Sequence, residues 1–227
     1  ESADVSGVPV TPVSELISLF NNEKYSRILN ARIDHNDQRA KYTLALAFYR
    51  RFQQQKKNEK DAGKYLLHSV QILREIRESK RGSAHIRAKA GLWFAMLCVR
   101  YLYDHTDFNE LRDTLVSLKK PAGNIYYNDA VFYLALLYRK NKDYYKMKNC
   151  YYYLSTFRGK DPVYDIFKNR SVSAATAAAA YLKGSSPELH TGELASQVKK
   201  IHNEISTERR REDSDIFIDK KVSEYKN

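Results

Sequence analysis

The sequence predicts an all-α fold built from paired antiparallel helices, and three observations carry that prediction. Apolar residues recur at threes and fours from Pro12 onward, which is the spacing of one face of a helix. Gly and Pro number 8 and 5 in 227 residues, too few for the many tight turns of a sandwich or barrel. The periodic segments run roughly twelve to fifteen residues between short polar breaks, as helical hairpins do. Strand alternation is confined to Ile216-Phe217-Ile218, too short to carry a sheet.

The elements follow in order. Ser14 is the expected cap of a first helix with Leu16, Leu19 and Phe20 on one face, broken at Asn21-Asn22. Tyr25, Ile28 and Leu29 begin a second helix. Ala40 to Phe52 forms a third, and the apolar-free Gln53–Lys60 is an exposed turn or a solvated helix end. Ala62, Leu66, Ser69, Val70 and Leu73 continue the spacing to the basic break at Lys80-Arg81-Gly82. Ser83 caps a long helix to His105, carrying Ile86, Ala90, Trp93, Leu97 and Tyr101. Phe108, Leu111, Leu115 and Leu118 make its partner, stopped by Pro121 and Gly123. Asp129–Lys140 and Asp143–Phe157 form a further pair, stopped by Gly159 and Pro162. Pro162–Asn169 is expected to start another helix leading into the alanine-rich Ala174–Leu182. A last helix runs from Pro187 to about Arg211, and residues 213–227 are a charged tail.

Composition narrows the function. The formal charge is +12, with 18 Tyr, 9 Phe and one Trp, so an anionic partner has to be considered. An apolar fraction of 43% is enough for a folded core. No run of 18 apolar residues exists, so no segment is expected to span a membrane. Cys98 and Cys150 lack ligand spacing and sit in periodic segments, where cysteine acts as a small buried hydrophobe. The chain begins at Glu1 with a small, polar, Pro-flecked stretch. Residues 1–12 therefore read as a tether of a processed or trimmed chain: a mature secreted protein, a lipoprotein cut behind its anchoring Cys, or a trimmed cytosolic one.

The paired helices repeat in register. Leu134-Ala135 and Tyr138 are followed by Tyr144, Met147, Tyr151 and Leu154, then the Gly159/Pro162 stop. Cys98-Val99, Leu102, Phe108, Leu111, Leu115 and Leu118 occupy the same positions one unit earlier. Phe108 and Tyr144 lie 36 residues apart, close to the roughly 34-residue tetratricopeptide (TPR) period. Leu44-Ala45, Phe48, Ala62, Leu66 and Ser69 suggest an earlier unit, and Leu16, Leu19, Tyr25 and Ile28 a short first one. The pattern resembles divergent TPR repeats, with Ala or Val where the family carries Gly. It implies a TPR-like α-solenoid of about four helical hairpins over residues 13–162, with C-terminal capping helices over 163–212. Residues 126–165 also resemble the repeats of bacterial envelope TPR proteins, the BamD-like assembly lipoproteins and CpoB-like periplasmic proteins. Ala130, Phe132, Leu134, Ala135 and Tyr138 fill their first-helix pattern, Asp143-Tyr144 the hairpin, and Pro162 the stop.

That resemblance implies a concave groove lined by the first helices, built to hold an extended peptide or a partner helix. Transferred by register, its residues are Arg39, Tyr42, Tyr49 and Arg50, then Arg100 and Tyr103, then Tyr133, Arg139 and Lys140. Arg forks carboxylates and Tyr supplies rigid contact area, so the implied partner is an acidic protein surface, peptide or helix. The competing assignment for these residues is ordinary solvated arginines and interhelical tyrosines.

Catalytic and metal chemistry lack a motif. The six histidines are scattered, and His190-x-x-Glu193 and His202-x-Glu204 are expected to be solvated pairs. No phosphate loop or nucleophile elbow is present, and no cofactor is expected. Basic clusters at Lys56-Lys57, Arg139 through Lys148 and Arg209–Arg211 are interrupted or flanked by acids, which argues against nucleic acid. The expectation is a non-catalytic protein-binding scaffold tethered at its N-terminus in the bacterial periplasm. The alternatives are a cytoplasmic TPR adaptor for acidic tails and a polyanion-binding helical module.

Overall fold

The computed structural model describes residues 9–55, 62–119 and 125–182. Outside them lie the expected tether up to Val8, most of the Gln53–Lys60 turn, the Pro121/Gly123 stop, the Pro187–Arg211 helix, Ile216–Ile218 and the tail. Among the described residues the protein is mostly helical, with nine α-helices and one two-stranded hairpin. No described helix is long and apolar enough to cross a membrane. The chain forms two compact units, Glu1–Cys98 and Val99–Asn227.

In the first unit the helices are α1 (Val13–Asn21), α2 (Tyr25–Leu29), α3 (Gln38–Gln55), α4 (Ala62–Glu78) and α5 (Ala84–Leu97). The cap of α1 is Pro12, whose extended backbone presents its carbonyl to the Leu16 amide at 3.0 Å; Ser14, the expected cap, lies two residues further on, inside the first turn. The helix ends at Asn21 as expected. Its stop is a Schellman turn: Lys24 N donates to Leu19 O and Glu23 N to Phe20 O, with Glu23 at φ 57°. Asp37 starts α3 two residues ahead of the expected Ala40, because its Oδ1 accepts from the Arg39 and Ala40 amides. Ser83 caps α5 as expected, accepting from Ile86 N at 3.3 Å. Gly82 precedes it at φ 81°, where an added Cβ would stand 2.8 Å from Gln38 Cγ.

Consecutive helices pack on one another here, α1 and α2 onto α3, α3 along α4, and α4 along α5. The contact between α1, α2 and α3 is apolar throughout: Leu16, Leu19, Tyr25, Ile28, Ala40 and Ala47 close one cluster, with Phe20 edge-on to Tyr25 at 5.3 Å. Burying side chains of this kind contributes about 1.5–3 kcal/mol each, which is what holds so short a helix as α2 in place.

The long helix expected to reach His105 changes its hydrogen bonding before the end. Cys98–Leu102 is a π turn and Tyr103–His105 a 3₁₀ turn, which rotates the following side chains off the α-helical stripe. In the second unit, α6 (Phe108–Ser117) is capped by Asp107, α7 spans Tyr127–Lys140, and α8 (Tyr144–Tyr152) is capped by Asp143. A second π turn, Tyr153–Phe157, follows α8. The α7–α8 turn repeats the α1–α2 device: Asp143 N donates to Tyr138 O and Lys142 N to Arg139 O, with Lys142 at φ 60°.

The helix expected from Pro162 is a β-hairpin instead. Strand β1 (Pro162–Asp165) pairs antiparallel with β2 (Arg170–Ser173), Val163 opposite Val172. Pro162 stands at the first position of an edge strand, and Asn169 closes the four-residue loop at φ 54°. Helix α9 (Ala174–Tyr181) follows, capped by Ser173. It buries Ala174, Ala177 and Ala178 and leaves Thr176, Ala179 and Ala180 to solvent. Helix α7 is buried on every side from Ala130 to Tyr138, with α6, α8, α9 and β1 around it. Cys98 and Cys150 are buried thiols, not joined in a disulfide, and burial pushes the Cys150 thiol up to about 11.

Candidate functional site

An isolated two-stranded hairpin is marginal in water, so β1–β2 needs an anchor, and α7 supplies it with side chains rather than apolar contact alone. Asp129 Oδ1 accepts from Tyr164 N at 2.6 Å. The Tyr133 hydroxyl donates to Tyr164 O at 2.6 Å and accepts from Ile166 N at 3.0 Å. Asn128 Nδ2 donates to Asp161 Oδ2 at 3.1 Å. Burial pushes the Asp129 carboxyl up to about 6, opposed by the Tyr164 amide, and drives the Tyr133 phenol well above its ordinary range.

The hairpin loop is fixed by a second acid. Asp165 is fully buried, and its Oδ1 accepts from the Phe167 and Lys168 amides, an Asx turn. Both carboxylate oxygens also take the Tyr181 hydroxyl, at 3.1 and 3.0 Å. Desolvation first, then the Asp165 bond and charge, pushes the Tyr181 phenol up to about 12, with Arg100 pulling the other way. Arg139 Nη1 donates to the Tyr181 carbonyl at the end of α9.

These bonds bring a basic–aromatic surface together within the second unit. The Phe167 and Tyr181 rings stack at 4.9 Å, and Tyr181 lies 6.0 Å from Phe132. The Arg100 guanidinium, carried on the π turn, lies over Tyr101 at 4.7 Å and Phe167 at 5.5 Å. Lys168 stands over Tyr181 at 5.8 Å, and Lys140 over Tyr103 at 4.6 Å. Cation–π contacts of this kind hold a charge for about 0.5–2 kcal/mol without neutralising it. Arg100 is the unusual member: its Nη1 is shut off from solvent and meets no hydrogen-bond acceptor among the described residues. Asp165, the nearby buried acid, is already engaged by Tyr181 and the loop amides.

Of the nine residues expected to line a groove, four gather on this surface: Arg100, Tyr103, Arg139 and Lys140. Arg139 acts there by fixing α9. Tyr133 is a correction. It is fully buried and serves as the hairpin anchor, because α7 is covered on all sides and leaves no free first-helix face. In the first unit, Tyr42 and Tyr49 are corrected in the same way, at 6% and 0% exposure. Tyr49 packs against Trp93 at 5.7 Å and accepts from Gln53 Nε2 at 2.7 Å, while Lys89 lies 5.1 Å over the Tyr42 ring. Arg50 donates to Gln53 Oε1 at 2.8 Å, and Arg39 is exposed at the start of α3.

Sequence reasoning missed Tyr101, Phe167, Lys168 and Tyr181. The π turn displaces the first, and the other three belong to a hairpin and helix end whose meeting is set by Asp165. His190, His202, Lys56-Lys57 and Arg209–Arg211 lie outside the described residues. Among the described residues no group of three or more His, Cys, Asp or Glu could hold a metal ion. No protein-family model matches the chain, and comparison with curated proteins and with solved structures returns no match.

Proposed function

We propose that the protein is a non-catalytic binding scaffold whose second unit docks an acidic segment of another protein on the surface formed by Arg100, Tyr101, Tyr103, Lys140, Phe167, Lys168 and Tyr181. The observation that carries this reading is Arg100: a half-buried guanidinium lying over two rings that makes no ion pair among the described residues. A carboxylate docked on the part of the guanidinium that solvent still reaches would form a charge-assisted hydrogen bond, which is stronger than a neutral one. The flanking rings suit aliphatic or aromatic side chains beside the acid.

The wider setting rests on sequence pattern. Positions Ala130, Leu134, Ala135 and Tyr138 on α7 and Tyr144 and Met147 on α8 support kinship with TPR-like envelope proteins. Consecutive helix pairs within each unit agree with a repeat of hairpins, while β1–β2 departs from it after α8. A periplasmic, tethered scaffold is the reading we carry forward, with a cytoplasmic adaptor for acidic tails as its alternative.

A polyanion-binding module is the second reading, favoured by the same cations and rings. Fluorescence anisotropy on the full chain separates the two, using a ten-residue peptide alternating Glu with Ile or Phe, its Gln counterpart, and a single-stranded RNA decamer. Docking of acidic protein predicts that the Glu peptide binds and the Gln peptide does not. RNA binding tighter than the Glu peptide, with a steep loss between 50 and 200 mM salt, would instead establish the polyanion reading.

A further inference from the structure

The chain contains one segment with the chemistry this surface asks for. Glu212–Asp219, EDSDIFID, holds four acids and no Lys or Arg, with Ile216, Phe217 and Ile218 between them. No other eight-residue window of the chain carries four acids free of basic residues. The charge is divided accordingly: residues 183–227 hold nine Lys/Arg and nine Asp/Glu, so the whole formal +12 resides in residues 1–182.

We infer that Glu212–Asp219 is itself an occupant of the basic–aromatic surface, docking in cis and competing with any external acidic partner. The inference rests on the docking reading above and names a ligand for it. Three observations support the pairing. The first is chemical complementarity: acids for Arg100, Lys140 and Lys168, and an Ile-Phe-Ile core for the Phe167 and Tyr181 rings, which carry the cations on their faces. The second is Arg100 itself: it lies over Tyr101 and Phe167 and makes no ion pair among the described residues, so no acid of the described residues already matches its charge. The third is where the chain goes. Tyr181 belongs to the surface and Arg139 binds its carbonyl, so the sequence towards residue 212 departs from the surface's own edge. Twenty-nine residues separate Leu182 from Glu212.

Tethering makes the contact effective without high intrinsic affinity. A segment on the same chain meets the surface intramolecularly, so a site of weak intrinsic affinity can be filled from within. An external acidic partner then has to displace it. The surface is thereby a competitive one, open to partners that bring more acid or more apolar area than the segment does.

The test uses the full chain and a labelled synthetic peptide of residues 211–220. Neutralising the segment in the protein (E212Q, D213N, D215N and D219N together) should free the site. The neutralised chain is expected to bind the peptide about tenfold more tightly than the wild-type chain, as measured by anisotropy. Adding Arg100→Gln to that variant should remove the gain, with the far-UV circular dichroism unchanged. Equal affinity of wild-type and neutralised chains overturns occupancy by the segment, while sensitivity to Arg100→Gln in both would leave acidic docking standing. Failure of the peptide to bind any variant also overturns the inference, and the Glu-rich probe then judges the docking reading separately. A wild-type chain that is dimeric in light scattering, and becomes monomeric on neutralisation, overturns the cis arrangement in favour of exchange between copies.

Discussion

Helices α3 and α7 are the two long helices with a fully buried tyrosine at their centre, and they use it differently. Tyr49 of α3 sits among Phe52 and Trp93, its hydroxyl met by Gln53 from the same helix. Tyr133 of α7 reaches across to main-chain atoms of Tyr164 and Ile166, more than thirty residues on. Around α3 the neighbouring helices are held mainly by Leu, Ile and Ala, and the polar link from α3 to α4 is a surface ion pair, Lys41–Glu75 at 2.8 Å, with Glu75 exposed. Around α7 a hairpin that buries Val163 and Ile166 is held in addition by hydrogen bonds from Asp129, Tyr133 and Asn128. The difference shows that one composition, rich in Tyr and cations, builds an apolar stack in one unit and a polar joint in the other. The joint is what gathers the basic–aromatic surface.

If that contrast is right, removing one oxygen should separate the two helices. Tyr133→Phe leaves a buried carbonyl and amide unmatched and is expected to cost about 2–4 kcal/mol in urea unfolding. Tyr49→Phe should cost about 1 kcal/mol or less. Equal losses would break the comparison.

The same joint makes stability depend on pH. Burial pushes the Asp129 carboxyl from an ordinary 3.8 up to about 6 in the fold, so the folded state binds its proton more tightly than the unfolded chain. Stability from this group is therefore fully present below about pH 4 and is lost as pH rises through 6, by up to about 3 kcal/mol. Asp129→Asn keeps an acceptor for the Tyr164 amide without the charge. It should stabilise the protein at pH 7.5 by about 1–3 kcal/mol and have little effect at pH 4. A gain of the same size at both pH values would show that charge burial is not its cause.

Smaller effects sharpen the backbone side of the contrast. A Cβ on Gly159 would stand 2.8 Å from the main-chain oxygen of Ser155 in the π turn, whereas one on Gly63 in α4 meets nothing within 4 Å. Gly159→Ala should cost about 1–3 kcal/mol, and Gly63→Ala should gain about 0.5–1 kcal/mol. Calorimetric melting points of opposite sign are the expected result. Smallest of all, Glu23→Gly and Lys142→Gly should each raise stability by about 0.5 kcal/mol, since both residues hold a left-handed Schellman position that glycine adopts freely. A gain at one site and a loss at the other would show that the two turns are not equivalent.

Much of the helical frame was legible from residues because its causes are local. Asn21-Asn22 ends α1, Ser83 caps α5, Asp143 opens α8, and the apolar stripe of α4 is the one its spacing announces. The hairpin was not legible, since Pro162–Ser173 owes its shape to Asp129 and Tyr133 on another helix, and periodicity carries no trace of a partner 31 to 35 residues away. The site was half legible. Arg100, Tyr103, Arg139 and Lys140 came from the repeat register, but the register could not show that α7 would be enclosed, which turned Tyr133 from a groove residue into an anchor. Nor could it show the π turn at Cys98–Leu102, which sets Arg100 and Tyr101 beside Phe167.

The most direct test of the basic–aromatic surface sets the two regions against each other. Affinity of the full chain for the Glu-rich peptide is measured for Arg100→Gln/Lys140→Gln and, in parallel, for Arg39→Gln/Arg50→Gln, each removing two positive charges. A loss of tenfold or more in the first pair with less than a twofold change in the second is the predicted result. Equal losses in both pairs, or a loss confined to Arg39 and Arg50, would contradict it.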